Sequence, residues 1–237
     1  MTLFTELWPG GPRFAQADTM RLSTDSVLLA DFVALHGAQK GIDLGCASGA
    51  IALLLLSRES RLHMTGLELD VQAAELAREN MSTNKLEARS RILTGDIRQV
   101  RKLLPGGSFD FVVANPPYYP LGSGGLSPDP ARAAARGETA CSLEDLCRAA
   151  AWLLPTGGRL FLVHKPERLS ELMCAMSANG LEPKRLRTVS PRAERAPSLI
   201  LVEGRRGGKP GLRFEAPLIL AGADGSETEE LRRIYHH

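Results

Sequence analysis

The chain has 237 residues, 43% of them hydrophobic and 24% charged, which is enough for one domain with a substantial core. Its formal net charge of +2 gives no indication of a nucleic-acid partner, and the longest apolar run, residues 50–56, is too short to span a bilayer. The N-terminus also lacks the basic and apolar regions of a signal peptide, so we expect a soluble, cytoplasmic protein without a membrane partner.

Strand and helix signals alternate along the chain from about Lys40 onward. Short apolar runs predict strands at 41–44, 63–67, 91–93, 109–114, 159–164, 186–189 and 199–203. Helical spacing predicts helices at 50–56 and 71–81, a third that opens on a Ser142–Asp145 capping box and ends near 154, and a fourth from Pro166 to Gly180. This order is typical of an α/β fold with a doubly wound, mostly parallel seven-stranded sheet.

We interpret the chain as a single domain with a lead-in at 1–39, a core at 40–204 and a tail at 205–237. Residues 120–130 are rich in Gly, Ser and Pro, which predicts a long loop. In the tail we expect a strand at 217–220 and a short helix capped by Ser226 with Glu229. The four cysteines match no zinc-site spacing and favour reduced thiols, so no metal is predicted: Cys46, Cys141, Cys147 and Cys174.

Residues 42–49, Ile-Asp-Leu-Gly-Cys-Ala-Ser-Gly, join the first core strand to a helix, at the sheet edge where doubly wound folds bind ligands. Gly45 and Gly49 allow a close backbone approach, but their spacing does not fit the G-x-G-x-x-G pattern of nicotinamide sites. Asp43 is placed to hold the ammonium of an amino-acid-like ligand. An ordinary tight turn between a strand and a helix is the alternative interpretation.

Two further acids stand at strand ends. Glu68 ends the second strand, where an acid typically binds ribose hydroxyls, and Asp96 follows the third, where a carboxylate can accept from an adenine amino group. A solvated surface acid would explain either one alone. Three acids at three successive strand ends favour a binding site.

Residues 42–49, 66–68 and 95–96 resemble the cofactor motifs of class I S-adenosylmethionine-dependent methyltransferases. The resemblance implies S-adenosyl-L-methionine as cofactor and S-adenosyl-L-homocysteine as product. Ala47 stands where that family often has its central glycine. The residues that we expect at the cofactor are Thr24, Asp43, Gly45, Cys46, Ala47, Gly49, Glu68, Leu69, Asp96, Ile97 and Asn115.

The tetrapeptide Asn115-Pro116-Pro117-Tyr118 follows the fourth predicted strand. It resembles the [DNS]-P-P-[YFW] motif of methyltransferases that modify adenine N6, guanine N2 or glutamine N5. Such amines are poor nucleophiles, and acceptors on both N–H groups, here Asn115 Oδ1 and the Pro116 carbonyl, can make them more nucleophilic. The prolines stiffen the loop and Tyr118 can stack on a base, with no metal or covalent intermediate required. A rigid Pro-Pro turn with a core tyrosine is the alternative.

Basic residues are concentrated between 184 and 213, where nine Lys and Arg residues stand against Glu194 and Glu203. This segment is a candidate phosphate-binding surface, and a solvated face is the alternative. The predicted RNA contacts are Arg192, Arg205, Arg206 and Lys209.

The overall layout resembles the bacterial valine tRNA adenine-N6 methyltransferases, through residues 13–17, 22–30, 115–118 and 136–138. The resemblance implies tRNA as the partner, with no obligate protein partner, and places Thr24 and Asp25 beside the cofactor pocket. A second interpretation of the same segment is that Thr24 or Ser23 caps a helix running from 25 to about 35.

Several other functions compete with this one. Glutamine-N5 methyltransferases usually carry a larger helical domain before the core, and guanine-N2 methyltransferases often have Phe or Trp at the last motif position and a duplicated domain. DNA adenine methyltransferases normally need a larger recognition insertion. A non-catalytic cofactor- or RNA-binding protein is the alternative from another class, and the intact Asn115 and Tyr118 argue against it.

Overall fold

One mixed sheet organises the computed structural model, which describes residues 4–15, 22–117 and 141–235. Its strands in chain order are β3 (Lys40–Leu44), β4 (His63–Glu68), β5 (Ser90–Thr94), β6 (Phe111–Ala114), β7 (Arg159–His164), β8 (Leu181–Ser190), β9 (Leu199–Arg206), β10 (Arg213–Phe214) and β11 (Leu218–Ile219). The order across the sheet is β10-β8-β9-β7-β6-β3-β4-β5, and β11 also pairs with β8. A separate antiparallel hairpin consists of β1 (Phe4–Glu6) and β2 (Arg13–Ala15).

Five adjacent strands run parallel to one another, in the order β5, β4, β3, β6 and β7. Strand β9 lies between β7 and β8 and is antiparallel to both. The parallel strands therefore all end at one side of the sheet, which we call the carboxyl edge. They all begin at the other side, the amino edge. Because β9 runs the opposite way, it begins at the carboxyl edge and ends at the amino edge.

Helices cover both faces of the sheet. They are α1 (Thr24–Phe32), α2 (Ala50–Arg58), α3 (Val71–Thr83), α4 (Val100–Leu103), α5 (Leu143–Leu153), α6 (Leu169–Ala178) and α7 (Glu229–Ile234). Alternate residues of β6 enter two different cores: Phe111 and Val113 pack with α1 and α2, while Val112 and Ala114 pack with α5 and α6. A sheet buried on both faces explains why its strands are almost continuously apolar.

The predicted α/β fold with a doubly wound, mostly parallel sheet is observed, but the sheet has nine strands and not the predicted seven. The tail strand expected at 217–220 is present as β11 and joins the sheet, and the two-residue strand β10 was not predicted. The prediction for β8 was too short, because charged Lys184 and Arg185 interrupt its apolar pattern near the edge of the sheet. The predicted cap of the last helix was wrong. Thr228 caps it by accepting from Leu231 N at 3.3 Å, whereas Ser226 bonds to Asp224.

The Ser142–Asp145 capping box is present at the start of α5. Two sequence predictions lie outside the described residues. They are the loop at 120–130 and part of the resemblance to the tRNA methyltransferases, at residues 16, 17 and 136–138. Within the described ranges, no helix is both long enough and apolar enough to cross a membrane.

Candidate functional site

The turn between β3 and α2 has an unusual backbone. Gly45, Ala47 and Gly49 all have positive φ, at 77°, 46° and 83°. A left-handed conformation costs an L-residue about 1–2 kcal/mol, so Ala47 is held there by its surroundings. The start of α2 lies so close to α3 that a Cβ on Gly49 would be only 3.0 Å from Met81 Cε. The turn thus exposes backbone at the carboxyl edge, as the glycine pattern predicted.

Asp43 is fully buried in β3, directly before this turn. Neither of its carboxylate oxygens has a hydrogen-bond partner among the described residues. Burial, followed by repulsion from Glu68, raises the pKa of Asp43 to about 8. A buried polar group without a partner is costly unless a ligand satisfies it. A cationic group such as an ammonium fits this position.

Glu68 holds the turn from the neighbouring strand. Its Oε2 accepts from Ala47 N at 2.8 Å, and its Oε1 accepts from Asp70 N at 2.9 Å. The first bond helps to keep Ala47 in its left-handed conformation. Each carboxylate oxygen has a second lone pair, so these bonds are compatible with acceptance from sugar hydroxyls. Leu69, the next residue, is exposed and offers an apolar surface at the same edge.

Asp96 follows β5 at the carboxyl edge, as predicted, but its carboxylate is engaged by Arg98. The Arg98 side chain bonds both oxygens at 2.7–3.1 Å, and Arg98 N donates to Oδ1 at 2.8 Å. These bonds, chiefly that from the side chain, lower the pKa of Asp96. Half-buried Ile97 begins the 3-10 turn that Asp96 caps. An adenine amino group that donates to the Asp96 carboxylate would therefore do so beside the bonds from Arg98.

Asn115 follows β6, half-buried at the carboxyl edge. Its Nδ2 donates to Ser26 Oγ at 3.1 Å, and Ser23 Oγ donates to the same oxygen at 3.1 Å. Pro116 is half-buried and Pro117 is exposed, while Tyr118 lies outside the described residues. Ser26 was not among the predicted site residues, although it lies in the resembling segment 22–30 and three residues after the helix cap Ser23.

The start of α1 agrees with the capping interpretation. Ser23 is the N-cap and its side chain accepts from Ser26 N at 3.2 Å. Thr24 is exposed and its side chain bonds Tyr235, beyond the end of α7. The structure therefore links Thr24 to the tail, and its contact with a cofactor stays a prediction.

Asn80 on α3 is a second site residue that was not predicted from the sequence. It is fully buried, its Oδ1 accepts from Ala15 N at 2.7 Å, and its Nδ2 donates to Ala15 O at 3.2 Å and to Ser48 O at 2.9 Å. Asn84, one turn later, bonds Arg13 N and O at 2.8 and 2.6 Å. Asn80 thereby ties the β1–β2 hairpin to the turn beside Asp43.

The predicted RNA contacts are divided between the two edges of the sheet. Arg192 is exposed just after β8, at the carboxyl edge. Arg205 and Arg206 end β9 at the amino edge, and Lys209 follows them. The antiparallel direction of β9 causes this division.

The free cysteines have different surroundings. Cys46 and Cys147 are buried, Cys141 is half-buried and Cys174 is exposed. The described residues contain no group of three or more His, Cys, Asp or Glu side chains that could hold a metal ion.

Comparisons with known proteins agree with this geometry. The family model of the methyltransferase small domain matches residues 19–125. A tRNA1(Val) (adenine(37)-N6)-methyltransferase from Tolumonas auensis is 31% identical over 212 residues, which cover 89% of this chain and 86% of that protein. A protein of the same description from Porphyromonas gingivalis is 34% identical, with 78% and 74% covered.

Among solved structures, a predicted O-methyltransferase from Agrobacterium tumefaciens superposes with a TM-score of 0.74 and 26% identity, covering 90% of this chain and 96% of its own. The predicted methyltransferase fold and enzyme class are thereby confirmed. The chain belongs to the family of the tRNA1(Val) (adenine(37)-N6)-methyltransferases.

Proposed function

We propose that the protein transfers a methyl group from S-adenosylmethionine to the exocyclic N6 amine of an adenine in tRNA, in the cytoplasm. The observation that carries the proposal is the position of Asn115, which follows β6 at the carboxyl edge and is oriented by Ser26. The relatives described above bear names with this activity, which supports the choice of adenine in tRNA over the other amines.

The residues at the carboxyl edge fit the cofactor. The buried carboxylate of Asp43 suits the ammonium of its amino-acid part, and the turn at 45–49 offers exposed backbone beside it. We propose that Glu68 binds the ribose hydroxyls and that Leu69 and Ile97 contact the base. When bound, S-adenosylmethionine would supply an electrophilic methyl group from its cationic sulfonium, whose S–C bond breaks to leave S-adenosyl-L-homocysteine.

Asn115 and Pro116 act on the target amine. The amine lone pair is delocalised into the ring, so Asn115 Oδ1 and the Pro116 carbonyl accept its two N–H groups and favour a pyramidal nitrogen. They hold both protons in place until one passes to water after the new N–C bond has formed. Because no side chain needs to form a covalent bond, these residues contribute alignment and electrostatic stabilisation.

The target base must leave its stack to reach Asn115, which is easiest in a single-stranded RNA loop. Tyr118 is the residue that we propose stacks on the base, on the strength of the motif. Arg192, Arg205, Arg206 and Lys209 are proposed RNA contacts.

Asn115→Ala tests the mechanism. We expect turnover to fall about 10²–10³-fold, the effect typical of losing one transition-state hydrogen bond, with cofactor affinity within about threefold of the parent. Methyl transfer from labelled S-adenosylmethionine to total RNA from a strain lacking the gene gives the rate. Asn179→Ala is the control, because Asn179 directly follows α6 and its side chain bonds Glu144 and Ala175 O, away from the site.

Nucleoside mass spectrometry of the same reactions tests the substrate. N6-methyladenosine in the tRNA fraction is the expected product. Label in the protein fraction would instead identify a glutamine methyltransferase, and N2-methylguanosine a guanine methyltransferase. Cofactor binding without transfer to either fraction would contradict the proposed activity.

A further inference from the structure

A cleft of about 490 Å³ opens at the amino edge of the sheet, opposite Asp43 and Asn115. A second cleft of about 350 Å³ shares Gly157, Lys184 and Arg205 with it, and we call the two together the amino-edge cleft. The larger part is lined by five Lys and Arg side chains, by His36 and by one carboxylate. The five are Arg159, Lys184, Arg185, Arg205 and Arg213, and the carboxylate is Glu203. The smaller part adds Arg206 and Lys209.

The sheet places like charges side by side in this cleft. Arg159 lies opposite Arg205 in the β7–β9 pair, and Arg213 lies opposite Arg185 in the β10–β8 pair. Neighbouring strands are only about 4.8 Å apart, and like charges directly opposite each other destabilise a sheet. The charge of Arg185 is balanced by Glu203 and Glu215, whereas the Arg159–Arg205 pair forms no ion pair among the described residues. Folding alone therefore does not favour the second pair, and an anion beside it would offset the repulsion.

Some of these cations are fixed by the protein and others are available to a ligand. Arg159 donates to Ala34 O and Leu35 O at 2.7 and 2.9 Å, and Arg185 pairs with Glu203 and Glu215. In the described part of the chain, the exposed guanidinium groups of Arg205 and Arg213 have no ion pair. The cleft therefore combines two guanidinium groups that the protein holds in place with two that are available to an anion.

The pKa of Arg159 is consistent with this accumulation of charge. Burial lowers it, Glu203 opposes the shift, and the nearby groups of Arg205 and Arg185 lower it further. Guanidinium groups bind phosphate oxygens in bidentate geometry, and the cations here extend through two adjoining clefts. A chain of phosphates matches this extent better than a single carboxylate does.

The amino-edge cleft is connected to the carboxyl edge along the outer part of the sheet. Strand β8 has ten residues, which at about 3.3 Å per residue span roughly 30 Å. Lys184 and Arg185 lie near its start in the cleft, and Arg192 and Arg195 are exposed just after its end. An RNA stem-loop can lie along this side with its loop at the carboxyl edge.

We propose that the amino-edge cleft binds the phosphate backbone of an RNA stem whose loop reaches Asn115. The inference rests on the proposed function and gives it a second RNA contact, remote from the methylated base.

The test is the double variant Arg205→Ala/Arg213→Ala, titrated with an RNA stem-loop over a range of NaCl concentrations. Loss of two phosphate contacts should make the slope of log affinity against log salt shallower by about 1.5–2. Affinity for an oligonucleotide of the loop alone should stay at the parent value, because that RNA has no stem to reach the cleft.

Arg61→Ala/Arg91→Ala is the matched control, since it removes two positive charges near the β4 and β5 side of the sheet and should leave the slope unchanged. A parental slope in the cleft variant, or an equal loss of affinity for the loop oligonucleotide, would overturn the proposal. Competition by inorganic phosphate with a parental slope in the variant would assign the cleft to a free anion and overturn it as well. Formation of N6-methyladenosine by the parent protein on the same RNA is measured in parallel, so failure of the proposed function is seen separately.

Discussion

The orientation of one amide group decides what Asn115 can do. An Asn side chain can rotate to present either its oxygen or its nitrogen, and only the oxygen can accept from an amine. Ser26 Oγ accepts from Asn115 Nδ2, and it also accepts from Ser23 Oγ. Because Ser23 caps α1, the helix start sets the orientation of the amide on β6. Ser26 is therefore a positioning residue, acting through Asn115.

Ser26→Ala should lower kcat about tenfold, because loss of one hydrogen bond worth about 1.4 kcal/mol leaves the amide free to rotate. Cofactor affinity and Tm should change little, whereas loss of a merely structural residue would lower Tm and leave kcat unchanged. Steady-state kinetics with an RNA substrate gives kcat and KM separately. Ser26→Thr retains the hydroxyl and should restore turnover. Ser57→Ala removes a hydroxyl that donates to Leu53 O within α2 and serves as the control. A parental kcat in Ser26→Ala would remove Ser26 from the mechanism.

Two elements outside the sheet support the turn beside Asp43. The hairpin of β1 and β2 packs on α3, and its backbone is bonded by Asn80 on α3 and by Asn84, which directly follows the helix. Only Asn80 also reaches Ser48 in the turn. A buried amide with three hydrogen bonds is costly to remove, since its backbone partners are then left unsatisfied. The hairpin, α3 and the turn therefore behave as one unit.

Asn80→Ala should lower the free energy of unfolding by about 2–3 kcal/mol and weaken cofactor binding about tenfold or more, because Ser48 loses its support. Urea unfolding and calorimetric titration with S-adenosylmethionine measure the two effects. Asn84→Ala is the matched control. It cuts the bonds to Arg13 but not the one to Ser48, so stability should fall while cofactor affinity is retained. Equal affinities in the two variants would show that the contact with Ser48 does not matter.

At the scale of the whole molecule, a buried acid at the centre of the sheet links stability to pH. The pKa of Asp43 is raised to about 8 by burial and by Glu68, against about 3.9 in an unfolded chain. Between these values the folded protein keeps a proton that the unfolded chain has lost. The contribution of Asp43 to stability is therefore complete below pH 4 and is lost as pH rises towards 8.

We expect the free energy of unfolding of the ligand-free protein to fall by about 1 kcal/mol between pH 7 and pH 8 from this group. The range above pH 7 is chosen because burial lowers the pKa of His164 to about 4, which gives an opposite slope at lower pH. Urea unfolding at the two pH values measures the change, and Asp43→Asn should abolish it. The same slope in Asp43→Asn would assign it to other groups.

The sequence predicted those features that depend on local pattern. The alternation of strands and helices and the strand-end positions of Asp43, Glu68 and Asn115 followed from periodicity and spacing. Contacts between residues far apart in the chain were not predictable in this way. Asn80 lies 65 residues from Ala15, and Ser26 lies 89 residues from Asn115. Neither partner is indicated by its own neighbours in the sequence.

The basic segment shows the same limit for charge. Arg192 and Arg205 are 13 positions apart in the sequence, which suggested one surface. The strand between them runs antiparallel to its neighbours and carries Arg205 to the other edge. Charge clustering in a sequence therefore predicts a surface only when the direction of the intervening strand is known.

The contact between Asn80 and Ala15 also gives the protein a built-in spectroscopic reporter. The amide proton of Ala15 is donated to the side chain that holds Ser48, yet Ala15 lies outside the 45–49 turn. A ligand that tightens the turn should slow hydrogen–deuterium exchange at Ala15 and shift its amide resonance. The amide signal of Ala15 in the hairpin would thus report ligand binding at the turn beside Asp43, without a label on the cofactor or the RNA.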